Sequence, residues 1–402
     1  MRPSKNLFPA QKRLYHDIFN DYDNKLAPII YSETYKQSFF FSGYNKTIHG
    51  WIFKILINQI KVIDLDEPQE LFTTSVDILV QWLDPRLMWN ISEYEGIQLM
   101  YIRQSMIWSP PIGVFSASDL KDLRDLDFRI AKLQSRGLLE QYTTMRLTTN
   151  CGLNMANFPF DIQSCEIHLG LSGVHWRLYN ISMVLPAIDD EFFCDMSNSA
   201  WTIVNVSIGT LRLNPIRDIL YRIGVVRVIL KRNATFYMYM IILPTFTINM
   251  IAIGGVFLKK STKMEKLTIG FTHIMTMTFI LGLVSEKIPK TSEIPLLGKY
   301  IVFGLCLMMF ALVISTAFDK FCNTLENNRR FGDQKIIKTL CMYILHCLNI
   351  LAISYMIHRF VLFENSYGTH RNCDLNNNEK NRSVYSDMST DLYETFNSTT
   401  GF

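Results

Sequence analysis

Two glutamates, Glu265 and Glu286, flank a stretch, Leu267–Val284, that holds no charged residue. From Glu265 a stripe steps by three and four through Thr268, Thr272, Met275, Phe279 and Gly282 to Glu286. That spacing marks one face of an α-helix. A helix packed beside parallel copies of itself around an axis turns such a face to the axis. Carboxylates at both ends of a hydroxyl-bearing stripe suit the chemistry of ions in water, because rings of carboxylates concentrate and pass cations. Glu265 is the residue expected to select them. Met275 and Phe279 would form an apolar constriction, dry until the helices tilt or rotate. His273 adjoins the stripe but lies off it; packing is its expected role, with proton sensitivity as the lesser reading.

Catalytic chemistry finds no comparable support. The chain contains no Gly-rich phosphate loop, zinc-binding helix motif or nucleophile elbow, and Cys341 and Cys347 lack metal spacing. No enzyme activity, cofactor or metal is expected. The formal net charge of +4 is too small to argue for nucleic acid, and none is expected as a partner.

The elements that would position the stripe are apolar helices. Of 402 residues, 49% are hydrophobic and only 19% charged. Phe236–Leu258, Leu267–Val284 and Tyr300–Phe318 carry no charge, and Thr339–Phe363 is interrupted only by His346, His358 and Arg359. Each run approaches the ~20 residues that cross ~30 Å of hydrocarbon. Pro244 and Asn249 suit a first span packed inside a bundle. The intervening links fix orientation. Residues 259–266 hold Lys259, Lys260, Lys263 and Lys266 against Glu265, and residues 319–338 hold Lys320, Arg329, Arg330, Lys335 and Lys338 against Asp319, Glu326 and Asp333. Both links are expected on the cytosolic side. They carry 9 basic and 4 acidic residues, a surplus of 5, so the net charge is a topology signal. The expected layout is an outer domain over 1–232, a membrane domain over 233–363 and a polar outer tail over 364–402. Glycosylation sequons agree: Asn45, Asn90, Asn180, Asn205 and Asn233 fall in the outer domain, Asn381 and Asn397 in the tail, and none in a cytosolic link. Met1–Tyr15 has charges but no apolar h-region, so a truncated N-terminus or mature-form numbering is expected.

The outer half carries a helical pattern before Leu26, with Leu7, Leu14, Ile18 and Phe19 on one face. Short alternating runs follow. Ile52, Ile55, Ile57, Ile60, Val62 and Ile63 suggest one strand, and Val76, Ile78, Val80 and Trp82 another. Turn residues at Asp64–Pro68, Asp84-Pro85 and Ser109–Pro111 separate the runs, as in a β-sandwich. Of the 8 Cys, Cys306, Cys322, Cys341 and Cys347 lie in or beside the spans and are expected to be free. Cys151, Cys165, Cys194 and Cys373 lie outside, where disulfides persist.

The segment from Cys151 to Cys165 encloses 13 residues centred on Phe158-Pro159-Phe160-Asp161. It resembles the signature loop of Cys-loop receptors, the pentameric ligand-gated ion channels, in their nicotinic-receptor-like cation branch. Trp82-Leu-Asp84-Pro-Arg86-Leu-Met-Trp89-Asn90, Ile107-Trp108-Ser-Pro110, Leu230-Lys231-Arg232 and the stretch from Met264 through Pro289 to Leu296 match as well. The resemblance covers about Leu7 to Phe363. It implies an N-terminal helix, a ten-stranded sandwich, a four-helix membrane bundle and five subunits around a pore. It also implies a Cys151–Cys165 disulfide, with Phe158, Pro159 and Asp161 at a coupling loop, Arg232 at the domain junction and Pro289 in the linker that moves. Four further subunits, an extracellular small molecule, permeant cations and membrane lipid are the implied partners, at a plasma membrane, postsynaptic in setting. Thr262-Lys263-Met264-Glu265 stands where anion-selective members carry Pro-Ala-Arg.

Some family features are absent. An acetylcholine site is lined by aromatics that hold a quaternary ammonium. Here Phe115 stands at a Tyr position, Ser172 and Asp77 at Trp positions and Pro111 at an Asp position, and no adjacent Cys pair occurs in Asn205–Tyr221. Phe115 is therefore the one ligand-site residue carried over. Trp176, Trp201 and Tyr221 are further aromatic candidates, each more readily a core or surface residue. The alternative to a ligand-gated cation channel subunit is an accessory subunit that neither binds ligand nor conducts alone. The third-to-fourth helix link is short for the family, which an incomplete gene would explain. Pairing of Cys194 with Cys373 is a further expectation.

Overall fold

The computed structural model describes residues 7–28, 51–123, 128–172, 179–185, 196–213, 221–258, 262–289, 293–324 and 331–367. Cys194, Cys373, Trp176, Asn45, Asn381 and Asn397, and the side chains of Tyr221 and Cys322, lie outside the described residues.

Helix α1 spans Phe8–Phe19 and buries Ala10 and Leu14 against Ile97. Eleven strands are described, one more than the resemblance implied: β1 Trp51–Asp66, β2 Leu71–Met88, β3 Leu99–Arg103, β4 Ile112–Val114, β5 Ala117–Asp122, β6 Ile130–Gln134, β7 Arg136–Asn150, β8 Ile162–Leu171, β9 Tyr179–Val184, β10 Trp201–Leu213 and β11 Tyr221–Arg232. One sheet runs β3-β6-β7-β2-β1-β9, with β5 also on β7; the other runs β10-β11-β8-β4. The two form a sandwich around Phe53, Trp82, Phe72, Ile167 and Val228.

Alternation accounts for β2, where Val76, Ile78, Val80 and Trp82 all face the core. In β1 the register slips between Ile57 and Gln59, a bulge that turns both Ile57 and Ile60 inward. Ile63 then points out and is 37% exposed, against a simple reading of the apolar run.

Asp84-Pro85 does not separate two strands, as its turn chemistry suggested. It lies inside β2 at an irregularity between Leu83 and Met88. Asp84 is fully buried and anchors the chain end of α1. Its carboxylate accepts hydrogen bonds from Tyr22 Oη (2.9 Å), Arg86 Nε (2.9 Å) and Arg86 Nη2 (2.7 Å). The Trp108 backbone N–H donates to Tyr22 Oη at 3.0 Å. Burial, with Asp84 adding to it, pushes the Tyr22 phenol up to about 12. A phenol whose folded pKa is raised contributes stability that is lost as pH rises from the ordinary value near 10 through the folded one. We therefore expect Tyr22→Phe to cost about 1–2 kcal/mol at neutral pH, because Asp84 and the Trp108 N–H each lose a partner. Thermal unfolding of the two chains tests the loss, and the variant should also lose part of the alkaline destabilisation between about pH 10 and 12.

Four helices follow: α2 Thr235–Phe257, α3 Lys263–Glu286, α4 Leu296–Thr324 and α5 Phe331–Tyr367. Each is long and apolar enough to cross a membrane. Pro244 lacks an N–H, so the ladder before it cannot close in α-helical register. Met238–Ile242 widens into a π turn, and the Leu243 N–H donates to the Met238 carbonyl. One continuous core passes from the sandwich through Phe158 and Phe160 into the outer half of the bundle, reaching Met277, Tyr300 and Met356. A second cluster around Ile253, Val256, Met308 and Leu345 fills the other half.

Candidate functional site

The Cys151–Cys165 disulfide is formed and closes the loop between β7 and β8. The loop seats directly on the bundle. Its Ala156 and Phe158 carbonyls accept hydrogen bonds from the Leu296 (3.1 Å) and Leu297 (3.0 Å) N–H groups, the first two of α4. A helix leaves its first N–H groups without internal partners, so the loop supplies the cap of a membrane helix. The loop also touches α5. Arg359 Nη2 donates to Asn157 Oδ1 at 2.9 Å, and the Phe160 ring lies 6.0 and 6.1 Å from those of Phe360 and Phe363. Phe158 is 2% exposed, its ring 4.9 Å edge-on from that of Tyr237 at the start of α2. Pro159, joined to Phe158 by a cis peptide bond, is buried, as is Pro289 just beyond α3.

Arg232, at the end of β11, binds this junction together. Its Nε donates to Asp161 Oδ1 at 2.7 Å, its Nη2 to Asp161 Oδ2 at 3.2 Å, and its Nη1 to Glu67 Oε1 at 2.6 Å. The guanidinium lies 4.2 Å over the Trp201 ring and 4.8 Å over that of Phe158. Its side chain is 2% exposed, as is that of Asp161. Burial works against the charge, and the carboxylates of Asp161 and then Glu67 outweigh it, holding Arg232 above its ordinary range. Glu67 comes from the β1–β2 turn, whose Glu70 carbonyl accepts the Cys151 N–H at 2.8 Å. Beside it, Lys231 Nζ donates to Glu364 Oε2 at 2.7 Å and stands 4.9 Å over the Phe363 ring.

The expected coupling residues Phe158, Pro159, Asp161 and Arg232 are thus brought together. Glu67, Tyr237, Asn157 and Glu364 escaped the sequence reading, and Lys231 and Arg359 were noted there without a junction role, because each is ordinary until the fold juxtaposes it. Trp201, weighed as a ligand wall, is 2% exposed and serves as the floor under Arg232.

The stripe on α3 is exposed along its whole length, from Glu265, Thr268 and Thr272 through Met275 (76%) and Phe279 (65%) to Gly282 and Glu286. Lys266, Gly270, His273, Met277 and Val284 face the chain's own bundle. At about 100° per residue the two sets are centred on opposite sides of the helix. Glu265 also closes a capping box at the start of α3. Thr262 caps α3, accepting from the Glu265 N–H at 3.3 Å, while Glu265 Oε2 accepts the Thr262 N–H at 2.9 Å. This capping box places the carboxylate at the helix mouth, and the Thr262-x-x-Glu265 spacing carried the signal.

Phe115 follows β4, half-exposed, with its N–H donating to the His168 carbonyl at 2.8 Å. Its ring lies so close over Gly170 that any Cβ there would collide with it. Phe115 is therefore a surface aromatic fixed on the outer face of β8. Next to it, Arg227 donates twice to Glu166 Oε1 (2.9 and 2.6 Å), and His168 Nε2 lies 3.1 Å from Glu166 Oε2. Arg227 and then His168 hold the Glu166 carboxyl below its ordinary range. Of the sequons, Asn90, Asn205 and Asn233 are exposed and Asn180 is half-buried in β9. Asn233 Nδ2 already donates to the Ser199 carbonyl at 3.4 Å.

A sandwich whose disulfide-closed loop caps a helix of a four-helix apolar bundle defines a multi-pass membrane protein with a β-sandwich domain seated on its helices. Residues 11–182 match the family model for the neurotransmitter-gated ion-channel ligand binding domain, and residues 241–362 that for the neurotransmitter-gated ion-channel transmembrane region. The chain belongs to the neurotransmitter-gated ion-channel family, in its nicotinic-receptor-like branch, and is a plasma-membrane protein. It is 26% identical over 361 residues to the neuronal acetylcholine receptor subunit alpha-9-II of Oncorhynchus mykiss, covering 88% of this chain and 58% of that protein. It is 31% identical over 257 residues to the subunit beta-4 of Rattus norvegicus (63% and 50%) and 25% identical over 340 residues to the subunit beta-3 of Homo sapiens (82% and 69%). The chain spans about half the length of several of the relatives it matches.

Proposed function

We propose that the chain is one of five subunits of a cation-selective channel, opened by an extracellular small molecule bound where subunits meet. Residues 1–232 lie outside and 233–363 in the membrane, with the 259–266 and 319–338 links in the cytosol. The face of α3 carries this reading. Its exposed stripe holds a carboxylate at each end and hydroxyls between, while the opposite face is buried in its own bundle. Five such faces around an axis enclose a path with anionic mouths and an apolar waist at Met275 and Phe279. The disulfide-closed loop, Arg232 and the cap on α4 give ligand-driven motion in the sandwich a route to the bundle. The aromatic box is sparse around Phe115, so the ligand is assigned only as a small molecule.

Glu265→Gln is the informative test, because Gln keeps the capping box while removing the charge. In cells expressing the chain and challenged with amines, amino acids and protons, the variant should shift the reversal potential in a salt gradient toward that of chloride. Cation conductance at low salt should fall several-fold, at the low end of the roughly 10–10³ by which focused charge raises local counter-ion concentration. An unchanged permeability ratio would refute the role of Glu265. A chain that reaches the surface and stays silent would point instead to an accessory subunit.

A further inference from the structure

On the bundle side of α3, His273 Nε2 lies 2.6 Å from Asn249 Oδ1 on α2. The two side chains are 3% and 1% exposed. We infer that this pair is a latch that positions the Met275–Phe279 constriction, an inference resting on α3 being the pore-lining helix.

Three observations carry it. Asn249 packs against α4 at a glycine: a Cβ at Gly304 would lie 2.5 Å from Asn249 Nδ2, so a larger residue there would push the amide from its present place. The latch thus engages α2, α3 and α4 at one level. Its remaining polar atoms, Asn249 Nδ2 and His273 Nδ1, have no hydrogen-bond partner among the described residues. In an apolar bundle the pair has little alternative to its mutual bond, and opening it strands polar groups where water cannot reach them. Finally, His273 precedes Met275 by two residues, a rise of about 3 Å and a turn of about 200°. The hydrogen bond therefore holds α3 from behind, directly opposite the 76%-exposed Met275. Rotation of α3 that withdraws Met275 from the axis must stretch or break it. His273 and Asn249 are positioning residues; they act on ions only through the angle they give to Met275 and Phe279.

The test uses the full chain at the cell surface, with Cys194, Cys306, Cys322, Cys341, Cys347 and Cys373 changed to Ser and Met275→Cys introduced. The rate of reaction with a charged, membrane-impermeant thiol reagent reports how Met275→Cys faces water, whether or not the channel conducts. Asn249→Leu and His273→Leu should each change that rate about five-fold, the shift expected from losing a hydrogen bond of ordinary net strength. The double variant should match the singles, since both remove the same bond. His273→Gln, which can still donate to Asn249, should stay near the parent rate, whereas loosened packing alone would not be rescued by it. Counting only biotinylated surface protein excludes misfolded copies. Equal rates in all variants, or additive changes, would overturn the latch and leave the pore reading standing. Absence of labelling in every variant would overturn the pore reading and the latch together.

Discussion

Arg232→Ala is expected to destabilise the chain by about 3–5 kcal/mol, the range for removing one partner of a buried ion pair. The loss comes chiefly from what stays behind. Asp161, 2% exposed, keeps the Gln163 amide as a hydrogen-bond donor but loses both bonds from the guanidinium. Glu67 loses its 2.6 Å contact, and the Trp201 and Phe158 rings lose the cation between them. Arg232→Lys should recover only part of the loss. An ammonium is a point charge and cannot reach two carboxylates in a fork while lying flat on an indole. Asp161→Asn on the Arg232→Ala background should restore stability relative to Arg232→Ala alone, because it removes the stranded buried charge. Chemical unfolding of the full chain in nanodiscs, followed by tryptophan emission, measures all three, with Trp201 as a local reporter. An Arg232→Ala chain within about 0.5 kcal/mol of the parent, the spread of ordinary surface substitutions, would mean that the cluster does not hold the junction.

The second large effect belongs to the disulfide. Changing Cys151 and Cys165 together to Ser should cost about 3 kcal/mol, as the chain-entropy estimate gives for a loop of this size. The consequence reaches beyond the loop. The same 13 residues present the Ala156 and Phe158 carbonyls to α4, Asn157 to Arg359 and Phe160 to Phe360 and Phe363. Freed of its staple, the loop must pay its own ordering entropy to keep those contacts. Protease cleavage within residues 152–164 should therefore rise along with the loss of global stability. A double serine variant that is destabilised but resists cleavage there would show that the bundle, rather than the disulfide, sets the loop conformation.

Local patterns on the chain carried much of this. The four spans were legible because hydrocarbon demands long charge-free runs, and the stripe from Glu265 to Glu286 because helical periodicity is a property of neighbours in sequence. The Phe158-Pro159-Phe160-Asp161 loop was legible because its residues and spacing resemble a family signature. Other features could not be read this way. Arg232 meets Asp161 across 71 residues and Glu67 across 165, and no spacing rule links such positions. The bulge in β1 depends on pairing with β2, and the enclosure of Asp84-Pro85 within a strand overrode its turn chemistry.

His273 shows the division most plainly. Its place off the stripe followed from counting residues, which is why packing was its expected role. Its bond to Asn249, and the glycine that makes room for that amide, arise only when three helices meet. The sequence by itself determined which segments are long and apolar enough to span a membrane and which face of α3 carries the carboxylates, since hydropathy and periodicity act along the chain, while the disulfide-bearing loop was marked by its resemblance to a family signature. Tertiary structure alone decided which charges and hydrogen bonds close, because these depend on contacts of a few ångströms between elements that the chain leaves far apart.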